Sequence, residues 1–237
     1  MVHVRYEVID CSKYRKAFVV GDIHGEFLKF DRALYDAGFN PSTDVVISVG
    51  DIIDRGPRSQ DFEYYLAKPW FKRVLGTHED QVGEYLKGYE TRENVIANGG
   101  AWYVDKPRGE IERIAALLEY APLAMEVITP GGKRVGITHA DLQGHWDSMQ
   151  VDLKDPELER AMLNMLVNSR DTIGYIRLTK DAHPESVHVR GIDHVFHGHT
   201  PVDQPFTFAN RTWIDTDRGD EGGQLTVLDI DAFLNER

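Results

Sequence analysis

Three short segments of the chain carry side chains of the kinds that bind metal ions or transfer protons. They are Gly21-Asp22-Ile23-His24-Gly25, Gly50-Asp51-Ile52-Ile53-Asp54-Arg55-Gly56 and Gly76-Thr77-His78-Glu79, and each follows an apolar run. Carboxylates and imidazoles gathered at strand-to-loop junctions are the groups from which two-metal sites for phosphoester hydrolysis are built. The recurrence therefore predicts one composite site at the ends of neighbouring strands.

The spacing of these residues suggests how two ions would be held. Asp22 and His24 are two residues apart, so an extended segment points both side chains to one side, toward a first ion. Asp51 has two carboxylate oxygens and can bridge to a second ion about 3.5–4 Å from the first. His139 and His199 follow other predicted strands and are available for that second ion. A water between two cations would be acidic enough to give a hydroxide nucleophile at neutral pH.

Three more residues of these segments suit the phosphate and the leaving group. The planar fork of Arg55 can hold non-bridging phosphate oxygens. Asp54 can keep His78 protonated and oriented, so that the imidazole gives a proton to the departing alkoxide. Taken singly, Asp22 and Asp51 could instead be helix caps, and Asp54 with Arg55 a local ion pair. The conjunction of five such junctions favours the metal site.

The runs between these segments predict the elements that position them. Short apolar stretches, each ended by glycine, predict buried strands at Ala17–Val20, Val45–Val49 and Phe71–Leu75. Helical spacing of apolar residues occurs over Glu26–Ala37 and, more weakly, over Ser59–Ala67. Strands that alternate with helices predict a parallel sheet, and ligands collect at the carboxyl edge of such sheets.

The pattern changes after Gly88. A polar stretch leads to a predicted helix at Glu110–Glu119, and the segment 88–120 is expected to form a helical cap over the site. Two runs joined by Pro-Gly-Gly, Leu123–Thr129 and Lys133–Thr138, predict a hairpin that ends at His139.

The last part of the chain is predicted to be a helix followed by strands, in a single domain that spans residues 1–237. Pro156–Val167 is the predicted helix, and His194–Phe196 predicts a strand that leads to His199. Three further runs are predicted to close the chain as a second β-rich layer: Phe206–Phe208, Thr212–Ile214 and Leu225–Ile230.

Five further histidines and three of the tryptophans are expected to take no part in the chemistry. His197 is expected to be a structural neighbour of the site, and His145, His183, His188 and His194 to be solvated or packed. The indoles of Trp102, Trp146 and Trp213 are expected in the core or the cap rather than on substrate.

Composition narrows the class of protein. The 237 residues carry a formal charge of −12, which would repel a nucleic-acid backbone. The single cysteine, Cys11, indicates a reducing compartment, so we expect a cytoplasmic protein. The start of the chain does not resemble a secretory leader, no apolar run is long enough for a membrane span, and no heptad pattern indicates an obligate partner. A monomer is expected.

The motifs taken in order resemble the metallophosphoesterase (calcineurin-like) family, and within it the bacteriophage lambda type of serine/threonine protein phosphatase. The resemblance covers nearly the whole chain and rests on these segments: Ser12-Lys13-Tyr14-Arg15, GDIHG, ISVGDIIDRG, Pro69-Trp70-Phe71, Asn98-Gly99-Gly100, His139-Ala140-Asp141, GHTP at 198–201, and Phe208-Ala209-Asn210 leading to Ile214-Asp215-Thr216.

The resemblance implies an α/β fold of four layers, in which two mixed sheets pack between helices. It implies two divalent metal ions, with Mn²⁺ expected and Fe, Zn, Ni or Co possible, and hydrolysis without a covalent phosphoenzyme. It assigns the first ion to Asp22, His24 and Asp51. The second ion is assigned to Asp51, His139, His199 and position 77. His78 becomes the acid, Asp54 its partner and Arg55 the phosphate clamp.

The sequence departs from the family pattern at four places. The family's third motif is Gly-Asn-His-Glu, whereas Thr77 here offers a shorter hydroxyl that would reach an ion through water. Leu75 stands where an arginine commonly precedes that motif. Arg170, in Val167-Asn168-Ser169-Arg170, matches the family's substrate-binding arginine only with a shift. The loop 217–221 is acidic where the family has a small, Gly-rich turn, and this acidity could bias which substrates enter.

Several functions fit these residues. The first is hydrolysis of phosphomonoesters, on phosphorylated proteins or small aryl phosphates. Hydrolysis of phosphodiesters, cyclic nucleotides or dinucleoside polyphosphates would use the same centre and depend less on His78. A binding protein with a degraded site is a further alternative, motivated by Thr77 and Leu75 together.

Overall fold

The computed structural model of the protein describes residues 5–153, 155–217, 219 and 223–236. The strands described are β1 (Tyr6–Asp10), β2 (Ala17–Val20), β3 (Val45–Ser48), β4 (Phe71–Arg73), β5 (Ala124–Ile128), β6 (Arg134–Thr138), β7 (His194–His197), β8 (Phe206–Phe208), β9 (Arg211–Trp213) and β10 (Val227–Asp229). The α-helices described are α1 (Phe27–Asp36), α2 (Phe62–Leu66), α3 (Thr77–Lys87), α4 (Arg92–Ala97), α5 (Arg108–Leu118), α6 (Met149–Asp152), α7 (Pro156–Asn168), α8 (Asp171–Leu178), α9 (Pro184–Val187) and α10 (Ile230–Asn235).

The strands form two mixed sheets. One sheet has the order β10-β2-β3-β4, in which β2, β3 and β4 are parallel and β10 is antiparallel to β2. The other has the order β1-β5-β6-β7-β9-β8, with β6, β7 and β9 parallel to one another. Two mixed sheets flanked by helices were expected from the sequence, and this fold class is confirmed.

Successive side chains of a strand point to opposite faces of its sheet, and this alternation explains the layers of the fold. In β2, Ala17 and Val19 belong to a core cluster that also contains Met125 and Val135, on β5 and β6, so these side chains pack between the two sheets. Phe18 and Val20 point to the opposite face and join a cluster with residues of α1, α2, α3 and α5. The six-stranded sheet packs its other face on a third cluster, which includes residues of α6 and α7. The order is therefore helices, sheet, sheet, helices.

The predicted site residues lie just beyond the carboxyl ends of parallel strands. Asp22 follows β2, Asp51 follows β3 and Thr77 follows β4 in one sheet. His139 follows β6 and His199 follows β7 in the other. Because both sheets place these ends at the site, loops that are far apart in sequence converge there.

Most predicted elements are confirmed to within about two residues, but the end of the chain was predicted wrongly. Leu225–Ile230 was assigned to a second β-rich layer with β8 and β9. Its strand, β10, instead pairs with β2 in the first sheet, and the chain continues into α10. Five short elements were not predicted, namely β1, α4, α6, α8 and α9, and the start of α3 was expected to be a loop. Among the described helices, none has the length and apolar composition needed to cross a membrane.

We predict that Leu118→Ala lowers the free energy of unfolding by about 2–5 kcal/mol, because truncation leaves a cavity in a packed core. Leu118 ends α5 and is fully buried in the cluster beside the four-stranded sheet. Urea denaturation gives the value. Leu117→Ala is the matched control, because its neighbouring side chain is 39% exposed, and its cost should stay below about 1 kcal/mol. Equal costs for the two variants would contradict the assignment of α5 to the core.

Candidate metal centre

The carboxylate of Asp51 is the point on which the site converges. Its Oδ2 atom lies 3.3 Å from His139 Nε2, 3.7 Å from His24 Nε2 and 3.9 Å from His78 Nε2. Two groups of potential ligands share this carboxylate, and within each group the ligand atoms lie within 4.8 Å of one another. One group is Asp51 with His24 and His78, and the other is Asp51 with His139 and His199.

Three of these imidazoles are oriented by backbone carbonyl groups. A carbonyl oxygen only accepts hydrogen bonds, so the ring nitrogen facing it must carry the proton. The other nitrogen of a neutral ring is then left with a free lone pair. The three pairs are His24 Nδ1 with the carbonyl oxygen of Ile53 at 3.1 Å, His139 Nδ1 with that of Val49 at 2.8 Å, and His199 Nε2 with that of Asn168 at 3.0 Å. This arrangement is typical of metal-binding histidines.

The electrostatics favour the protonation states that ligands need. Burial opposes ionisation of Asp51, but the neighbouring His139 and His78 hold the pKa of its carboxyl well below its usual range. Burial lowers the pKa of His24 to about 3. Burial and the nearby His139 lower the pKa of His199 to about 3 as well. The site therefore holds an anionic carboxylate beside two neutral imidazoles, those of His24 and His199. Burial opposes protonation of His139, but the charge of Asp51 raises the pKa of that imidazole.

One buried ligand atom has no hydrogen-bond partner within the described residues, although it lies 3.3 Å from Asp51 Oδ2. His139 Nε2 is fully buried and accepts no hydrogen bond, although an unsatisfied buried polar atom is costly. With Nδ1 bonded to a carbonyl, this atom presents its lone pair to the space beside Asp51. The donor set and this free lone pair fit two divalent cations that share the Asp51 carboxylate.

The first turn of α3 holds Asp51 in place. The backbone N–H of His78 donates to Asp51 Oδ1 at 2.9 Å, so a helix N-terminus stabilises the carboxylate. The buried side chain of Glu79 accepts four backbone hydrogen bonds. Their donors are Gly76 N and Asp51 N at 2.9 Å on Oε2, and Ile52 N at 2.9 Å and Ile53 N at 3.4 Å on Oε1. The Glu79 carboxylate thus links segment 76–79 to segment 50–56.

The backbone is strained where the ligands sit. Among the residues that the structure describes, six non-glycine residues have positive φ angles, and five of them are predicted site residues: His24 (44°), Asp51 (48°), Asp54 (70°), Arg55 (64°) and His199 (62°). Such conformations persist only where the surroundings enforce them, and they cluster at functional sites. Close packing enforces them here, since a Cβ added to Gly76 would lie 2.2 Å from Asp51 N.

A family model for calcineurin-like phosphoesterases matches residues 15–203. The chain belongs to this family. Serine/threonine-protein phosphatase 2 of Escherichia coli (strain K12) is 34% identical over 227 residues, which are 94% of this chain and 96% of the relative. The asymmetrical bis(5'-nucleosyl)-tetraphosphatase PrpE of Bacillus cereus (strain Q1) is 28% identical over 240 residues, 89% of this chain and 88% of the relative.

Solved structures support the same fold. A cold-active protein-tyrosine phosphatase of a psychrophilic Shewanella species superposes with a TM-score of 0.55 over 96% of this chain and 78% of that one, at 14% identity. The protein is thus a phosphoester hydrolase of a family with a dinuclear metal centre, and its donor set suits such a centre.

In this phosphoesterase, the predicted acid pair and the predicted phosphate clamp are in contact. His78 Nδ1 lies 2.9 Å from Asp54 Oδ2, and both side chains are buried. Burial opposes protonation of His78, but Asp51 and the hydrogen bond from Asp54 raise the pKa of the imidazole. The Arg55 guanidinium donates to His24 Nε2 at 2.9 Å and to His78 Nε2 at 3.1 Å, so it lies against both imidazoles of the first ligand group.

Asp22 lies at the edge of the centre. Its carboxylate accepts the backbone N–H of His199 at 3.0 Å, and it is outside both ligand groups. Burial, together with the charges of Asp215 and Asp51, raises its pKa well above the usual range. A cation would relieve this concentration of buried negative charge.

Thr77 and Arg170 both reach the His199 side of the centre. Thr77 Oγ1 donates to the carbonyl oxygen of Val167 at 2.7 Å and lies 3.1 Å from His199 Nδ1. Because the hydroxyl donates its proton to Val167, Thr77 Oγ1 has only lone pairs to present to His199 Nδ1. The two atoms lie at a spacing usual for neighbouring ligands of one metal ion. Arg170 donates to the carbonyl oxygen of His199 at 3.1 Å. The expectation about the acidic loop 217–221 falls largely on residues outside those described.

Sequence reasoning missed three residues that the structure places at the site. The first is Glu79, whose spacing from Gly76 is that of a capping box and could have revealed it. The second is Trp102, whose Nε1 donates to Asp54 Oδ1 at 2.6 Å, although the indole was assigned a packing role. The third is Asp215, whose pKa burial and the charge of Asp51 raise to about 6. No local pattern marks Trp102, and Asp215 was named only within the family segment Ile214-Asp215-Thr216, without a role.

We predict that Thr77→Val weakens the binding of one of two Mn²⁺ ions by roughly 10–100-fold, because the hydroxyl beside His199 is lost while the shape is kept. Titration calorimetry of the metal-free protein measures both affinities. Thr77→Ser keeps the hydroxyl and should bind both ions as the parent does. Unchanged affinities in Thr77→Val would mean that position 77 holds no ion.

Proposed function

We propose that this phosphoesterase hydrolyses phosphomonoesters, with phosphoserine and phosphothreonine in proteins as its substrates and small aryl phosphates as surrogates. The observation that supports this most is the contact of His78 with both Asp54 and Arg55. A general acid beside a phosphate-binding arginine is what a poor leaving group such as a serine alkoxide requires.

The chain's own residues have distinct tasks in this scheme. Arg55 binds two phosphate oxygens through its planar fork, and its N–H groups leave His78 when they do so. With Arg55 on the phosphate, Nε2 of His78 is free to take a proton from solvent and to give it to the leaving oxygen, while Asp54 holds the Nδ1 proton and the ring orientation. Arg170 adds positive charge on the His199 side. The bound divalent ions supply an activated water and neutralise charge on the phosphate.

We assign one ion to Asp22, His24 and Asp51, and the other to Asp51, Thr77, His139 and His199. Carboxylate and imidazole donors without thiolate suit Mn²⁺, which we propose as the ion used, while Fe, Zn, Ni and Co accept the same donors. The one cysteine, Cys11, is buried in the core between the sheets and belongs to neither ligand group.

The small size of the cavity beside the metal centre favours a narrow substrate. A cavity of about 220 Å³ is lined by His24, Arg55, Glu26 and Asp217, among others. This volume is below the range usual for whole small-molecule ligands and suits one phosphorylated side chain. Hydrolysis of dinucleoside polyphosphates is the second candidate, because the relative PrpE carries that name.

We predict that the protein with Mn²⁺ hydrolyses a phosphoserine peptide and p-nitrophenyl phosphate, and acts more slowly on bis-p-nitrophenyl phosphate and diadenosine tetraphosphate. His78→Ala should lower kcat on the phosphoserine peptide by roughly 10²–10⁴-fold, the usual contribution of a general acid. Its loss on p-nitrophenyl phosphate should be much smaller, because that leaving group needs no proton. Initial rates across the four substrates give the comparison.

The control is His183→Ala, which removes an exposed imidazole at the start of α9 and should leave all four rates unchanged. Two results would count against the proposal. One is a preference for diadenosine tetraphosphate over both monoesters, and the other is an equal loss on the peptide and the aryl ester in His78→Ala.

A further inference from the structure

The Asp54 carboxylate is held at both oxygens. It is fully buried, and His78 Nδ1 lies 2.9 Å from Oδ2. The indole Nε1 of Trp102 donates to Oδ1 at 2.6 Å. An indole N–H only donates, and hydrogen bonds to a charged acceptor are stronger than neutral ones, so the direction and the effect of this contact are defined.

Trp102 arrives from a different part of the fold. It ends a 3₁₀ turn, Gly100–Trp102, that follows α4 in the segment predicted as a cap. The preceding Gly99 has a φ angle of 97°, and a Cβ there would lie 2.3 Å from Arg55 N. The turn that carries the indole therefore packs directly against the strained backbone of Arg55, next to Asp54.

The indole itself is held by packing. Its ring lies 5.2 Å from that of Tyr103 and 6.0 Å from that of Phe62, measured between centroids. Both neighbours are buried in the core cluster beside the four-stranded sheet. A side chain fixed in this way costs little further entropy when it holds Asp54.

We propose that Trp102 is a positioning residue for proton donation. By bonding Oδ1, its indole N–H fixes the rotation of the Asp54 carboxylate, so that Oδ2 stays in line with His78 Nδ1. His78 then presents Nε2 toward the leaving oxygen in one orientation. The proposal rests on the proposed function, since it concerns the acid step of that reaction.

Trp102→Phe tests the proposal because it removes the donor and keeps an aromatic ring. We expect kcat on a phosphoserine peptide to fall by roughly 10–100-fold, the range seen when a hydrogen-bonding partner that orients a histidine is lost. The rate on p-nitrophenyl phosphate should change by less than about threefold, because its leaving group departs without a proton. In an Asp54→Asn background, Trp102→Phe should have no further effect on the peptide.

The matched control is Trp70→Phe. Trp70 is also half-buried and makes edge-to-face contacts with Phe39 and Phe71, away from the acid pair. Trp70→Phe should leave the rates on the phosphoserine peptide and on p-nitrophenyl phosphate unchanged. It should also have no effect in the Asp54→Asn background. Urea denaturation of the two variants gives their stabilities, so that a loss of folding is separated from a loss of proton donation.

A second readout needs neither metal nor substrate. In the metal-free protein, the His78 Nδ1 proton should give a downfield NMR signal that shifts or broadens in Trp102→Phe and is kept in Trp70→Phe. An unchanged signal, or equal rate losses on the two substrates, would overturn the role of Trp102. If the parent protein prefers diadenosine tetraphosphate, the proposed function fails, and the NMR signal still decides whether Trp102 orients the pair.

Discussion

One buried carboxylate, that of Asp51, organises the site. Its Oδ1 atom accepts the N–H of His78 in the first turn of α3, and its Oδ2 atom lies within 4 Å of three imidazoles that follow three different strands. An anion buried in this way is unfavourable unless positive charge or hydrogen bonds compensate it. The arrangement therefore suits cations.

The fold is arranged to make that convergence rigid. Glu79 joins the second and third motifs through four backbone hydrogen bonds, and it does so from the first turn of α3. The opposing sheet brings His139 and His199 to the same edge, and the core between the sheets fixes their distance from Asp51. In the proposed function, metal binding, phosphate binding and proton donation all depend on this framework.

Much of this could be read from the sequence, for physical reasons. Strands such as Ala17–Val20 are buried on both faces and so appear as continuous apolar runs, and α1 shows clear helical spacing. The ligand candidates were visible because carboxylates and imidazoles followed those strands directly. Partners set only by tertiary contact were not visible. Trp102 reaches Asp54 across 48 positions, and β10 pairs with β2 from the other end of the chain, so neither leaves a local pattern.

The central claim is that two ions lie side by side with Asp51 between them. The most direct measurement is electron paramagnetic resonance of the metal-free protein titrated with Mn²⁺. The account predicts that the signal of isolated ions gives way to that of an exchange-coupled pair as the second equivalent binds, and that Asp51→Asn abolishes the coupling. Spectra of isolated ions at every ratio, with a single ion bound per chain, would contradict it.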